Sequence, residues 1–292
     1  MKPTHRAILF MMGMVFLFAM LETTAKSLSQ SYPVPLIVWF RYVTHFVLML
    51  LLLGPRYGSR LIKTDNPKAQ ILRAMLLMGS TLLYFTALSV LPLATAKSIG
   101  FISPLMVTMF AFWILKEQVS RPRWVAVLVG FVGVLLVINP TKSFDWYFVL
   151  PLLSAIFYSM YQIMTRHFSN REHPVATLFY TGLVGSLLLS LVVPVFWVTP
   201  QFADLPKFLF LGFAGAVGHF MLIKAMELED ASFLSPLGYV QLVWVTLFGY
   251  VAFNHVPSTM GFVGMVVIVG AGLYVALGQK PRHAELTTIA NE

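Results

Sequence analysis

The chain has no cysteine in 292 residues, and charged side chains make up only 11% of it. The first absence excludes disulfides, thiolate metal centres and cysteine nucleophiles together. The second, set beside 58% hydrophobic residues and a mean hydropathy of +0.81, excludes an ordinary soluble enzyme and a disordered regulator, because soluble domains carry about 25% charge. Acidic residues are scarce too: 11 against 20 basic ones leave a net charge of +9. The basic residues lie in short segments between apolar runs and form no basic domain, so nucleic acid is not expected as a partner. Also missing are a His-Glu-x-x-His pair, a Gly-x-Ser-x-Gly elbow, a phosphate-binding Walker loop and paired acids within an apolar run. Neither a cofactor nor a metal is expected. The longest polar loops, near 54–71, 166–174 and 198–207, are too short for a soluble catalytic domain.

What the sequence does contain is a series of apolar runs near 7–28, 35–53, 72–91, 94–115, 124–140, 146–165, 175–197, 208–226, 232–253 and 259–277. A hydrocarbon core about 30 Å thick needs roughly 17–25 apolar residues per crossing. The runs lack the alternation of a barrel strand, and a lone crossing segment satisfies its backbone only as a helix. The expected fold class is therefore an all-α membrane protein with ten transmembrane helices. The first run follows Lys2 and Arg6 as a secretory signal would, but it continues through Glu22 and Lys26 and predicts a retained helix.

Placing the N-terminus inside puts Lys2, Arg6, Arg56, Arg60, Lys63, Lys68, Arg73, Lys116, Arg121, Arg123, Arg166, Arg171, Lys280 and Arg282 on the cytoplasmic side, and only Lys142 and Lys207 outside. This bias predicts that both termini are cytoplasmic, in a multi-pass protein of the cytoplasmic (inner) membrane. Lys26, Arg41, Lys97 and Lys224 fall within or at the edges of the runs.

The two halves of the chain resemble each other. A shift of 138 positions pairs Ala87 with Ala225, Gly100 with Gly238, Val107-Thr108 with Val245-Thr246, Phe110 with Phe248 and Ser120 with Ser258. A shift of 140 lays Met20, Glu22 and Lys26 on Met160, Gln162 and Arg166. The expected organisation is a first five-helix repeat over 1–140, a second over 141–280, and a disordered cytoplasmic tail over 281–292. Five is odd, so the second repeat would enter the membrane upside-down, with a central cavity between the two.

Leu72-Arg73, Ala87-Leu88, Leu91-Pro92-Leu93-Ala94 and Phe101-Ile102-Ser103-Pro104-Leu105 carry a resemblance to the EamA domain of the drug/metabolite transporter superfamily. Leu115-Lys116-Glu117, Arg123-Trp124 and Gly130-Phe131-Val132-Gly133-Val134 extend it. A weaker copy follows in Ala225, Gly238 and Gly270-Ala271-Gly272, and it departs at Asn254-His255, where the acid matching Glu117 is missing. The resemblance implies ten helices in two inverted halves and secondary active transport of small metabolites. That family includes metabolite exporters and importers of cofactor-like molecules. Phe18-Ala19-Met20-Leu21-Glu22, Lys26, Tyr32-Pro33-Val34-Pro35 and Trp39-Phe40-Arg41-Tyr42 resemble a subgroup with carriers of that second kind.

A charge at mid-span costs about 2.5–3.5 kcal/mol on insertion scales, so it needs a partner or a wet cavity. Glu22 is the carboxylate deepest in any run, and Arg41 lies at a matching depth on the second helix, which makes the two a candidate ion pair. Lys26 follows Glu22 by four residues, Lys97 is slightly shallower, and His45 is one turn below Arg41. The excess of cations suits a carboxylate or phosphate on a substrate, and Glu22 is the candidate proton-coupling site. Ser154, Tyr158, Tyr161, Gln162 and Thr165 form a polar stripe on the sixth helix, and Ser80, Thr81 and Tyr84 a second on the third. His219, Tyr239 and Gln241 join them from the second half, with Phe101 aligned to Tyr239 by the repeat. Pro104 is the candidate hinge. Together these features lead to the expectation of a transporter working by alternating access, with the lipid bilayer and a small-molecule substrate as partners. Export of an amino-acid-like or carboxylate-bearing compound comes first. Uptake of a riboflavin- or S-adenosylmethionine-like cofactor is the alternative, and an intramembrane enzyme or scaffold is the reading of another class. Oligomeric state is not legible.

Overall fold

The computed structural model describes residues 3–138, 146–169 and 171–278. The expectations resting on Lys2, Lys142, Lys280, Arg282 and the 281–292 tail lie outside these residues. The regular structure of the described residues is all helical, with no strand among them. Helix α1 spans Pro3–Leu28, α2 Val34–Leu48, α3 Pro67–Val90, α4 Leu93–Gly100, α5 Ser103–Phe110 and α6 Arg121–Ile138. Then follow α7 Val149–Phe168, α8 Pro174–Val192, α9 Leu205–Leu228, α10 Gln241–Phe253 and α11 Thr259–Gly278. Eight helical stretches among the described residues are long and apolar enough to cross a membrane, with α4 and α5 forming one and the stretch ending in α10 another. Helices α6 and α11 pack on each other. A Cβ at Gly133 would come within 2.8 Å of the Gly264 carbonyl oxygen, so this pair of backbones can meet only over glycine.

Local chemistry sets the helix starts. Asn66 accepts a hydrogen bond from the Ala69 amide at 3.1 Å, and Pro67 follows where a missing N–H is harmless. His173 and Pro174 open α8 in the same way, with the Val175 amide donating to the imidazole. Many large apolar side chains face outward: Leu51 is 67% exposed and Leu191 79%. Surfaces that apolar belong in lipid.

The helix ends repeat along the chain. Pro67–Val90 becomes Leu205–Leu228 under a shift of 138 at both ends, and Arg121, which opens α6, becomes Thr259, which opens α11. Under the 140 shift, the start of α2 at Val34 falls on Pro174, and the end of α1 at Leu28 on Phe168. The non-glycine residues with positive φ among the described ones are Lys116 (57°) and Asn254 (52°), again 138 apart. Each ends a broken crossing. The first break separates α4 from α5 at Phe101-Ile102. Its counterpart is the short helix Ala231–Leu234 and the 3-10 stretch Ser235–Val240, after which α10 begins at Gln241, 138 positions from Ser103.

Pro104, the candidate hinge, stands beside the first break. It does not kink a continuous helix; it sits in the first turn of α5, where it removes no helical hydrogen bond. Pro236 likewise sits in the first turn of the 3-10 stretch Ser235–Val240.

Candidate functional site

Between the two halves lies a cavity lined from α1, α2, α3, α4, α5, α7, α9, the broken segment before α10 and the first residue of α10, with about 950 Å³ of empty space when the open solvent at its mouth is included. Glu22 is the acceptor on its wall. Its Oε1 takes the Lys97 ammonium at 2.7 Å and the Gln241 amide at 3.0 Å, while the Tyr84 hydroxyl donates to Oε2 at 3.2 Å. The four groups come from α1, α4, α10 and α3, so one carboxylate joins both halves at the two broken crossings. Lys97 also stands 5.4 Å from the Tyr84 ring centre and 5.5 Å from that of Phe101.

Arg41 does not pair with Glu22, and the expected bridge is corrected on that point. Its guanidinium donates to Thr81 Oγ1 and to His219 Nε2, each at 3.0 Å. Equal depth is not equal direction: the side chain leaves α2 toward α9, where Gly215 gives it room within 3.1 Å. Guanidinium only donates, so His219 Nε2 is the acceptor, and the ring proton sits on Nδ1, facing Tyr161 Oη at 3.2 Å. Arg41 Nε has no hydrogen-bond partner, and no carboxylate among the described residues forms an ion pair with this arginine.

Glu22, Arg41, Ser80, Thr81, Tyr84, Lys97, Phe101, Tyr158, Gln162, His219 and Gln241 line the cavity, and so does Pro104. Four candidates lie elsewhere. Lys26 donates to the carbonyls of Leu88 and Leu91 at 2.9 and 2.8 Å, capping the end of α3 instead of joining Glu22. His45 is buried against Gly182 of α8. Tyr239 is clamped between Gly130 and Gly272, behind Phe101. Tyr161 stacks behind Tyr158, its ring centre 5.8 Å away.

The stripe on α7 is thus two ribbons. Ser154, Tyr158 and Gln162 face the cavity, whereas Tyr161 and Thr165, displaced by about one helical step, face a second buried layer. That layer is organised by Arg73, which the charge count assigns to the cytoplasmic side. It is wholly buried within α3, donating to Gln70, Thr165, the Thr177 carbonyl and Thr181, with its guanidinium 5.2 Å from the Tyr161 ring centre. The i,i+3 placement of Gln70 and Arg73 is the sequence signal for it. Composition hides the apolar lining, Met11, Met14, Phe18 and Phe85, because nothing separates these residues from others of their kind.

A third polar cluster lies at the end of the molecule where α1 begins. Arg166 of α7 pairs with Glu117 at 3.4 Å and with Asp230, and it donates to the Met226 carbonyl. The Glu117 carboxylate accepts from the Ala231 and Ser232 amides at 3.3 and 3.2 Å, and Arg123 donates to Ser232 Oγ at 2.7 Å. Thr4 donates to Glu229 at 2.6 Å beside them.

The model of the EamA-like transporter family matches this chain twice, over residues 5–139 and 145–277. A relative named S-adenosylmethionine uptake transporter, from Rickettsia prowazekii, is 31% identical over 225 residues, covering 77% of this chain and 76% of that protein. A riboflavin transporter of Brucella anthropi is 27% identical over 250 residues, 83% of this chain and 88% of its own. A pseudopaline exporter of Pseudomonas aeruginosa is also 27% identical, over 273 residues, 91% and 94% of the two chains. Among solved structures, one crystal structure matches with a TM-score of 0.76 at 21% identity, covering 93% of this chain and 96% of that one, a likeness of fold.

Proposed function

The chain belongs to the EamA-like transporter family, and we propose that it is a secondary carrier moving an amino-acid-bearing metabolite with a planar ring across the cytoplasmic membrane by alternating access. The observation that carries this reading is the charge pattern of the cavity: a Glu22–Lys97 pair and, on the same lining, Arg41, which has no carboxylate. An α-amino acid group complements all three. Its ammonium replaces that of Lys97 on Glu22, and its carboxylate meets the freed lysine and the arginine through charge-assisted hydrogen bonds. Phe18, Tyr84, Phe101 and Tyr158 supply faces for a ring. S-adenosylmethionine, named for the Rickettsia relative, has both parts.

The coincident helix ends at the two shifts support ten crossings in two inverted five-helix halves, near 1–140 and 141–280, and the broken crossings lie where such carriers bind substrate. The test is flux of labelled S-adenosylmethionine in vesicles, beside riboflavin, which has no carboxylate. Wild-type protein is expected to move the first, and Arg41→Gln to lower the apparent affinity about tenfold or more, the scale of one lost charged hydrogen bond. Movement of riboflavin alone would overturn the proposal. Loading the label inside or outside the vesicles distinguishes export from uptake, and an imposed proton gradient, with Glu22→Gln beside wild type, tests proton coupling.

A further inference from the structure

The two ends of the molecule are built on the same plan but not with the same charges. At the α1 start, Arg166 holds the Met226 carbonyl at the end of α9; at the other end, Lys26 holds the Leu88 carbonyl at the end of α3. The two bonds are repeat equivalents, since Lys26 becomes Arg166 under the 140 shift and Leu88 becomes Met226 under the 138 shift. A second pair matches as well. Glu172 accepts from the Asn66 amide at 3.3 Å, and its equivalent Tyr32 donates at 2.9 Å to Asp204, the equivalent of Asn66.

The acids are what differ. Arg166 has Glu117 and Asp230, which clasp the start of the short helix Ala231–Leu234. The equivalent positions at the far end are His255 and Pro92. His255 is exposed, its imidazole 3.1 Å from the Phe253 carbonyl, and Lys26 has only carbonyls and the Phe253 ring, 5.7 Å from its ammonium.

We propose that Glu117, Arg166 and Asp230 form an ionic latch that holds the cavity shut at the α1-start end, and that Lys26 is its weaker counterpart at the other. The inference rests on alternating access, not on the identity of the substrate. At these equivalent helix-end contacts, opening the latched end separates two carboxylates from a guanidinium in a poorly hydrated place, whereas opening the other separates one ammonium from neutral carbonyls. The Glu22–Lys97 pair belongs to the cavity wall and opens to substrate. The difference biases the empty carrier toward closure at the latched end.

The absence of native cysteine makes the test clean. Met14→Cys places a thiol on the cavity wall, and a membrane-impermeant maleimide is applied from each side of the membrane. Arg166→Gln is expected to raise labelling from the latched side about fivefold or more and to lower it from the other, with Arg166→Lys staying near wild type. His255→Glu, at an exposed position, supplies the missing acid near Lys26 and is expected to slow labelling from the unlatched side by a similar factor. Should Arg166→Gln fail to fold, His255→Glu still decides. Labelling rates unchanged by both substitutions, or by the one that folds, would overturn the latch. Labelling that responds to the latch variants, with no flux of any amino-acid compound, would leave the latch standing and overturn the substrate proposal.

Discussion

Glu22 satisfies its buried charge through Lys97, Tyr84 and Gln241, and each partner depends on it in return. Lys97→Met should therefore cost about 1–3 kcal/mol by leaving a carboxylate short of its strongest partner. The lower part of that range applies because the Lys97 side chain keeps 15% of its surface exposed. Adding Glu22→Gln to Lys97→Met should restore much of the loss, since removing both members of a pair costs less than removing one. Thermal unfolding of the two variants in detergent checks this, and a double variant no more stable than Lys97→Met would contradict it. Glu22 was legible in the sequence because a carboxylate in an apolar run stands out. Its partner was not. Depth along a helix can be counted from residue numbers, but direction around it depends on packing, and Arg41 turns toward His219 where α9 presents glycine. The burial of Arg73 is hidden for a related reason: a basic residue near a span end reads as a charge of the membrane's inner face until Gln70, Thr177 and Thr181 are found around it.

Arg41 is held in place by the approach of α2 to α9. A Cβ added at Gly212 would lie 2.3 Å from Thr44 Cβ and 2.9 Å from the Arg41 carbonyl oxygen, so the two helices must separate to admit it. Gly212→Ala is expected to destabilise by about 1–3 kcal/mol, as overpacking does, and to weaken substrate affinity by moving Arg41. Gly270→Ala is the control, because its Cβ meets nothing within 4 Å and alanine is the better helix former. Equal unfolding temperatures for the two variants would contradict the close approach. Eight of the expected crossings are legible from the length and hydropathy of the apolar runs. The breaks in them are not, because Phe101-Ile102 and Ser235–Val240 keep the local composition of a continuous span. Pro104 marked the neighbourhood of the first break but suggested a kink, and a proline in the first turn after an interruption leaves the same trace in a sequence.

At the scale of the whole molecule, orientation depends on charges that the fold redistributes. Arg73, Arg123 and Arg166 are buried in polar clusters, so they are poor witnesses for which side faces the cytoplasm. The bias persists without them. Arg6, Arg56, Arg60, Lys63, Lys68, Lys116, Arg121 and Arg171 remain exposed at the α1-start end, against Lys207 at the other among the described residues. Exposed loop charges are the ones that resist translocation, which makes this smaller set the better indicator. It predicts that Ser59→Cys is labelled by an impermeant maleimide only in inside-out vesicles and Gln201→Cys only in right-side-out ones. Both positions are exposed, and the chain brings no thiol of its own. The same pattern bears on the proposed repeat. Helices α1 and α7 are matched by the 140 shift, yet α1 starts, and α7 ends, at the face where Arg166 meets Glu117, the arrangement that the proposed inversion requires. Labelling of both cysteines from one side would contradict the inversion and the alternating-access proposal built on it, because two halves inserted the same way round cannot exchange roles across the membrane.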